Sequence, residues 1–177
     1  MSFRPTIFVF LFFAFMASAC TSAKYLNMVP TGTMNHAPTH KILSLDAIKT
    51  HIKTGRSTPL EMETYQQALV AAMEKTRMFK SVQTTPAAKG YRLETTVTHQ
   101  KLRFKDDAAH FDFSTRYRFV NRFNQVIYST DINSRCVKTT DDHSVLIKRQ
   151  RRAIECGVQK NLSTLVDKLY IAQHNFR

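Results

Sequence analysis

"FDFSTRYRF", residues 111 to 119, decides the fold. Phe111, Phe113, Thr115, Tyr117 and Phe119 fall on one parity, and Asp112, Ser114, Arg116 and Arg118 on the other. Period two with one polar face marks a strand covered on one side only. Upstream, "YRLETTV" (91–97) repeats the pattern, with Tyr91, Leu93, Thr95 and Val97 set against Arg92, Glu94 and Thr96. Downstream, "VIYSTDINSRC" (126–136) alternates less cleanly, and Val126, Tyr128, Thr130 and Ile132 are expected on its inner face. "KDDAAH" and "NRFNQ" separate the three runs, and Asp and Asn favour turns through local hydrogen bonds to the backbone. Three consecutive antiparallel strands follow from this.

Helical spacing replaces alternation on either side. Tyr65, Ala68, Leu69, Ala72 and Met73 recur at steps of three and four, so one apolar face is expected on a helix from about Pro59 to Met78. Thr58-Pro59-Leu60-Glu61 combines a capping box with proline at the first helical position. Near the carboxyl terminus, Leu146, Ala153, Ile154, Val158, Leu162, Leu165 and Leu169 keep the same spacing. That helix would start behind Asp141, Asp142 and Ser144, whose side-chain oxygens suit an N-cap. Gly157 costs it about 1 kcal/mol relative to Ala and suggests a close approach to the sheet. "KILSLDAI" (41–48) is the remaining strand. The expected architecture is α/β of the α+β kind. An antiparallel sheet of about four strands is covered on one face by two helices, in the order strand-helix-strand-strand-strand-helix.

The amino terminus is different in kind. Ile7 to Met16 is a ten-residue apolar run behind Arg4. A membrane-spanning helix needs about 20 residues, so the run reads as a secretory signal peptide over residues 1–19. Ala17-Ser18-Ala19-Cys20 resembles a bacterial lipobox, although Ala17 stands where Leu is commoner. The resemblance implies cleavage before Cys20, diacylglycerol on its thiol and acylation of the new amino group, with palmitate the expected chain. Several chains hold firmly where one binds reversibly. By resemblance to enterobacterial sorting, Thr21 favours the outer membrane, with the domain on the periplasmic side. The alternative is ordinary cleavage after "ASA", leaving Cys20 a plain thiol. Residues 20–38 carry Pro30, Gly32 and Pro38 without a steady period and read as a lipidated tether; residues 39–177 form a single domain.

Three cysteines are present. Lipidation of Cys20 leaves Cys136 and Cys156 as an even pair in an oxidising compartment, where a disulfide between them is expected. The alternative is two buried thiols acting as small hydrophobes. Neither has a second ligand at finger-like spacing, which argues against zinc.

The chain is strongly basic, with a formal net charge of +13. Export argues against nucleic acid as the partner and leaves lipid phosphate, lipopolysaccharide, acidic polysaccharide or an acidic protein surface. Lys148, Arg149, Arg151 and Arg152 share one helical region and form one candidate patch for an anion or a partner. Arg116 and Arg118 on the open sheet face form another. Their aromatic neighbours alternate to the opposite face, so a stacking platform for bases or sugars is disfavoured.

The stretches "ALVAAMEKTRMFKSV", "GYRLETTV" and "RRAIECGVQKNLSTLVDKL" bring a family into view. They resemble small outer-membrane lipoproteins with a domain similar to the N-terminal domain of the translocation protein TolB. Such lipoproteins serve curli and exopolysaccharide secretion, activate peptidoglycan synthases or assist ABC transport. The resemblance runs over about residues 41 to 170, on the step Arg77-Met78-Phe79-Lys80-Ser81-Val82 and on Ala153, Glu155, Asn161 and Leu165 of the last helix. It implies a non-enzymatic role in assembling or supporting an envelope machine, through an envelope protein partner or self-association. The high basic charge and the cysteine pair depart from the pattern.

Catalytic signatures are missing: no G-x-S-x-G, no H-E-x-x-H, no P-loop and no dinucleotide-binding glycines occur. Seven histidines are scattered. His36 and His40 share a four-residue spacing but fall in the tether, and metal ligands need a rigid scaffold. His143 suits a turn, and Asp106-Asp107 a hairpin. No catalytic residue, metal or cofactor is expected. The alternative to an assembly factor is a binding module for an anionic envelope polymer, with Arg149, Arg152, Arg116 and Arg118 as contacts.

Overall fold

The computed structural model describes residues 23–31, 42–50, 59–85 and 90–172. The expected signal peptide, Cys20, the histidines at 36, 40, 51 and 174, and Thr58 of the expected capping box lie outside these residues. The elements are β1 (Ile42–Leu45), β2 (Lys49–Thr50), α1 (Met62–Thr76), β3 (Ser81–Gln83), β4 (Tyr91–Lys105), β5 (Ala108–Val120), β6 (Val126–Lys138) and α2 (Leu146–Ala172).

The alternating stretch behaves as its chemistry requires. Phe111, Phe113, Thr115, Tyr117 and Phe119 are at most 1 % exposed, and Arg116 and Arg118 face solvent. β4, β5 and β6 form two antiparallel hairpins. Asp106 and Asp107 close the first with positive φ at both residues, the geometry a tight hairpin turn demands. In the second, the Asn121 carboxamide oxygen accepts from the backbone N–H of Phe123 and Gln125. An irregularity at this end pairs Phe119 with Tyr128 but Val120 with Val126, so Val126 turns out to solvent. Ile132 is buried as expected, Tyr128 and Thr130 are half-buried, and Cys136 completes the inner face of β6.

The sheet is mixed, not purely antiparallel. Its order is β3-β1-β4-β5-β6, with β2 also beside β4. β1 pairs parallel to both β3 and β4, and β2 pairs parallel to β4. The cause is the crossover: α1 carries the chain back to the end where β1 began, so β3 enters in the same direction. β2 and β3 have two and three residues, too few to show a period.

Tyr65, Ala68, Leu69, Ala72 and Met73 form the buried face of α1. The helix begins later than the capping box implies, with Glu61 at the N-cap and no side-chain cap bond. Arg77, at φ 54°, ends it in a left-handed conformation. α2 is 27 residues long, about 40 Å, and packs against β5 and β6. Its expected cap differs too. Asp142 accepts from Thr139 N–H and Lys138 Nζ and closes the preceding turn, while the Val145 carbonyl receives the first helical bonds. Leu146, expected inside, is 45 % exposed. Gly157 does mark a close approach: a Cβ there would sit 2.6 Å from Cδ1 of Phe111.

Candidate functional site

The polar heart of the domain lies between α1, β5 and α2. Asn161, fully buried on α2, uses its carboxamide oxygen to accept from Tyr117 Oη at 2.6 Å and Thr115 Oγ1 at 2.9 Å. Its Nδ2 donates to the Ile132 carbonyl at 3.1 Å. Since Tyr117 has spent its proton on Asn161, the Tyr65 hydroxyl is the donor in the short bond to Tyr117. Burial raises both phenols, Tyr117 to about 12 and Tyr65 well above its ordinary value. Both therefore stay protonated near neutral pH, and the arrangement joins α1, β5 and α2.

A second buried polar group explains the amino-terminal segment. Glu155 on α2 is 6 % exposed. Its Oε1 accepts the backbone N–H of Lys24 at 2.9 Å, and its Oε2 accepts Nδ2 of Asn27 at 3.0 Å. Arg151 stands 3.4 Å from the same carboxylate. Met28, in the short 3-10 turn Tyr25–Met28, is wholly buried. Gln159 and Lys75 then hold the carbonyls of Val29 and Pro30. This part of the expected tether is thus docked, because a carboxylate buried in α2 satisfies its backbone and a methionine fills the core beside it.

The basic cluster does not form one patch. Arg149 is buried and donates to the Asp107 carbonyl at 2.5 Å, tying α2 to the β4–β5 turn. Arg151 serves Glu155, and Arg152, although exposed, donates to the Asp142 carbonyl at 2.7 Å. Lys148 is exposed. Beside them His143 accepts from Val145 N–H. Desolvation, then the charges of Lys148, Arg152, Arg149 and Arg151, hold its imidazole below the ordinary value.

On the open sheet face, Arg116 is paired with Asp131 through two hydrogen bonds of 2.8 and 3.2 Å. Arg118 pairs with Glu94, which also receives Arg92. Asp112 is clamped by Arg103 and Arg135. Desolvation alone would raise the Asp112 carboxyl, but the Arg135 and Arg103 hydrogen bonds outweigh it and hold the group below the usual carboxylate range. The face is a lattice of alternating charge. Cys136 and Cys156 are joined in a disulfide with Cα atoms 5.9 Å apart, linking β6 to α2. Among the described residues, no three His, Cys, Asp or Glu side chains group as metal ligands, and no helix is long and apolar enough to cross a membrane.

Sequence reasoning placed Arg116 and Arg118 on the open face and paired the cysteines. It missed Glu155 as a docking group and Asn161 as the polar hub. The available signal was a Glu and an Asn at positions whose helical neighbours Ile154, Val158, Leu162 and Leu165 are all apolar.

In sequence comparisons, no protein-family model and no curated protein matches this chain. Solved structures do match its fold. Protein XCC0632 from Xanthomonas campestris, of the family DUF330, is 11 % identical, with a TM-score of 0.61 over 83 % of this chain and 92 % of that one. The hypothetical protein CT253 from Chlamydia trachomatis is 8 % identical, with a TM-score of 0.54 over 74 % of this chain and 96 % of that one. A minor lipoprotein from Acinetobacter baumannii is 12 % identical, with a TM-score of 0.47 over 77 % of this chain and 96 % of that one. At these identities the likeness is one of fold alone.

Proposed function

We propose that this protein is a non-enzymatic outer-membrane lipoprotein, anchored at Cys20, that serves as an accessory factor of a periplasmic envelope machine of the kind TolB-like lipoproteins support. The observation that carries the reading is the docking of Lys24–Pro30 on α2 and α1. A chain that emerges from a lipobox and is at once fastened to the domain holds that domain at the membrane. The open sheet face is then the surface offered to other proteins. Its arginines already have carboxylate partners, so an anionic polymer must compete with Glu94, Asp112 and Asp131 for them. A protein surface of mixed charge can exchange partners with the lattice. This favours a protein partner, or a second copy, over a polymer.

Photo-crosslinking in the native envelope, with the probe in place of Arg116, tests the partner. A discrete protein adduct is expected, and a glycan- or lipopolysaccharide-shifted smear with no protein adduct would overturn it. Mass spectrometry of the mature amino-terminal peptide tests the anchor. Acyl mass on Cys20 is expected, and its absence would remove the lipoprotein reading.

A further inference from the structure

The docked segment limits how far Cys20 can lie from the domain. Two residues, Thr21 and Ser22, separate Cys20 from Ala23, three backbone steps on, which packs against the core. That length spans at most ~11 Å. From Lys24 at Glu155 the chain runs along α2 to Val29 at Gln159, toward the helix's carboxyl end. The end of the described segment at Lys24 is thus the one nearer the first turns of α2. Ile147, Lys148, Arg151 and Glu155 lie at steps of three and four and share one side of that helix. Ile147 is eight residues before Glu155, ~12 Å along the axis, so the reach of the anchor matches the distance.

The surface there has the chemistry of a bilayer interface. Val145, Leu146 and Ile147 are 47, 45 and 48 % exposed, three consecutive aliphatic side chains in solvent. Lys148 and Arg152 are exposed on the same first turns of α2, and Lys24, also exposed, lies beside Glu155 further along the helix. Aliphatic side chains bury into the boundary between headgroups and acyl chains while basic neighbours meet phosphate. We infer that the ridge Val145–Ile147, with Lys24, Lys148 and Arg152, is a membrane-contact surface that rests on an anionic phospholipid leaflet and orients the domain. This rests on the reading that Cys20 is the point of attachment.

The test separates the two. The chain from Cys20 onward retains every described residue, and Cys20 is its free thiol because Cys136 and Cys156 are bridged. It can be coupled to a maleimide lipid in vesicles, whatever modification the cell makes. The chain has no tryptophan, so Ile147→Trp and, separately, Arg118→Trp each give a single reporter. With brominated phosphatidylglycerol vesicles, Trp fluorescence is expected to fall at least twofold for Ile147→Trp and to stay unchanged for Arg118→Trp. Quenching at neither position, or at position 118 in preference to 147, would overturn the surface. Without coupling, Lys24→Gln and Lys148→Gln should each weaken vesicle binding roughly fivefold. Unaltered binding would contradict the basic contact. Acyl-free Cys20 in cells would end the lipoprotein reading and leave these vesicle results standing.

Discussion

Replacing Asn161 with Leu should be among the most damaging single changes in the domain. The side chains are similar in size, so the perturbation is chemical. Asn161 is wholly buried and makes three hydrogen bonds, accepting from Tyr117 and Thr115 and donating to the Ile132 carbonyl. Leu leaves each of those groups without that partner. A buried polar group stripped of its partner costs about 1–3 kcal/mol, and the Thr115 and Tyr117 hydroxyls recover part of that by turning to one another. The expected loss is about 3–5 kcal/mol, a large share of the ~5–15 kcal/mol typical of a domain. Tyr65→Phe supplies the contrast. Tyr65 donates to Tyr117, whose own proton already goes to Asn161, and Thr115 keeps Asn161 as its acceptor, so its removal strands no donor and should cost about 1 kcal/mol. Urea unfolding of both variants with the disulfide intact gives the comparison from the midpoints at common slope. Asn161→Leu within 1 kcal/mol of the parent, or Tyr65→Phe costing as much as Asn161→Leu, would refute the assigned proton order and the hub.

Glu155→Ala should release the amino-terminal segment. Hydrogen exchange at residues 24–28 is expected to quicken at least tenfold while β5 keeps its protection, and unchanged exchange would show that Met28 suffices to dock it. Replacing both Cys136 and Cys156 with Ala removes a crosslink of sequence separation 20, expected to cost roughly 3 kcal/mol in denaturant unfolding. Asp112 predicts a pH effect. Its folded pKa lies below the ordinary value, so its contribution is present above the unfolded pKa and is lost as pH falls through the folded one. Thermal melts between pH 5 and 2 should show a shallower acid limb for Asp112→Asn than for the parent, and parallel limbs would remove Asp112 from the account.

Where one physical rule acts locally, the sequence was enough. The parity of 91–97 and 111–119 placed Leu93, Phe113, Tyr117 and Phe119 inside because a strand can bury only alternate residues. Gly157 announced a contact that a Cβ would block. The parallel pairing of β1, β2 and β3 was hidden, since strands of two to four residues carry too little pattern and their direction is set by the distant return of α1. The basic cluster was misleading for a related reason. Adjacency in a helix says where charges start, but Arg149 and Arg152 end on carbonyls of Asp107 and Asp142, partners that only the tertiary fold supplies.

The docked segment has the largest consequence for function. A free run from Cys20 to residue 38 would let the domain wander roughly 20–25 Å from its anchor and take any orientation. With Lys24, Val29 and Pro30 held by α2 and α1, an anchor at Cys20, as proposed, would be separated from docked chain by two residues, and domain and bilayer would move as one body. Electrostatics then divides the molecule. The lattice around Glu94, Asp112 and Asp131 satisfies its arginines internally, whereas Lys24 and Lys148 stand exposed at the end where the chain leaves. Net positive charge thus need not mean one anionic ligand. If Cys20 is the anchor, as proposed, Lys24 and Lys148 would face the bilayer, and the open sheet face, its arginines paired with carboxylates, would be left to the partner.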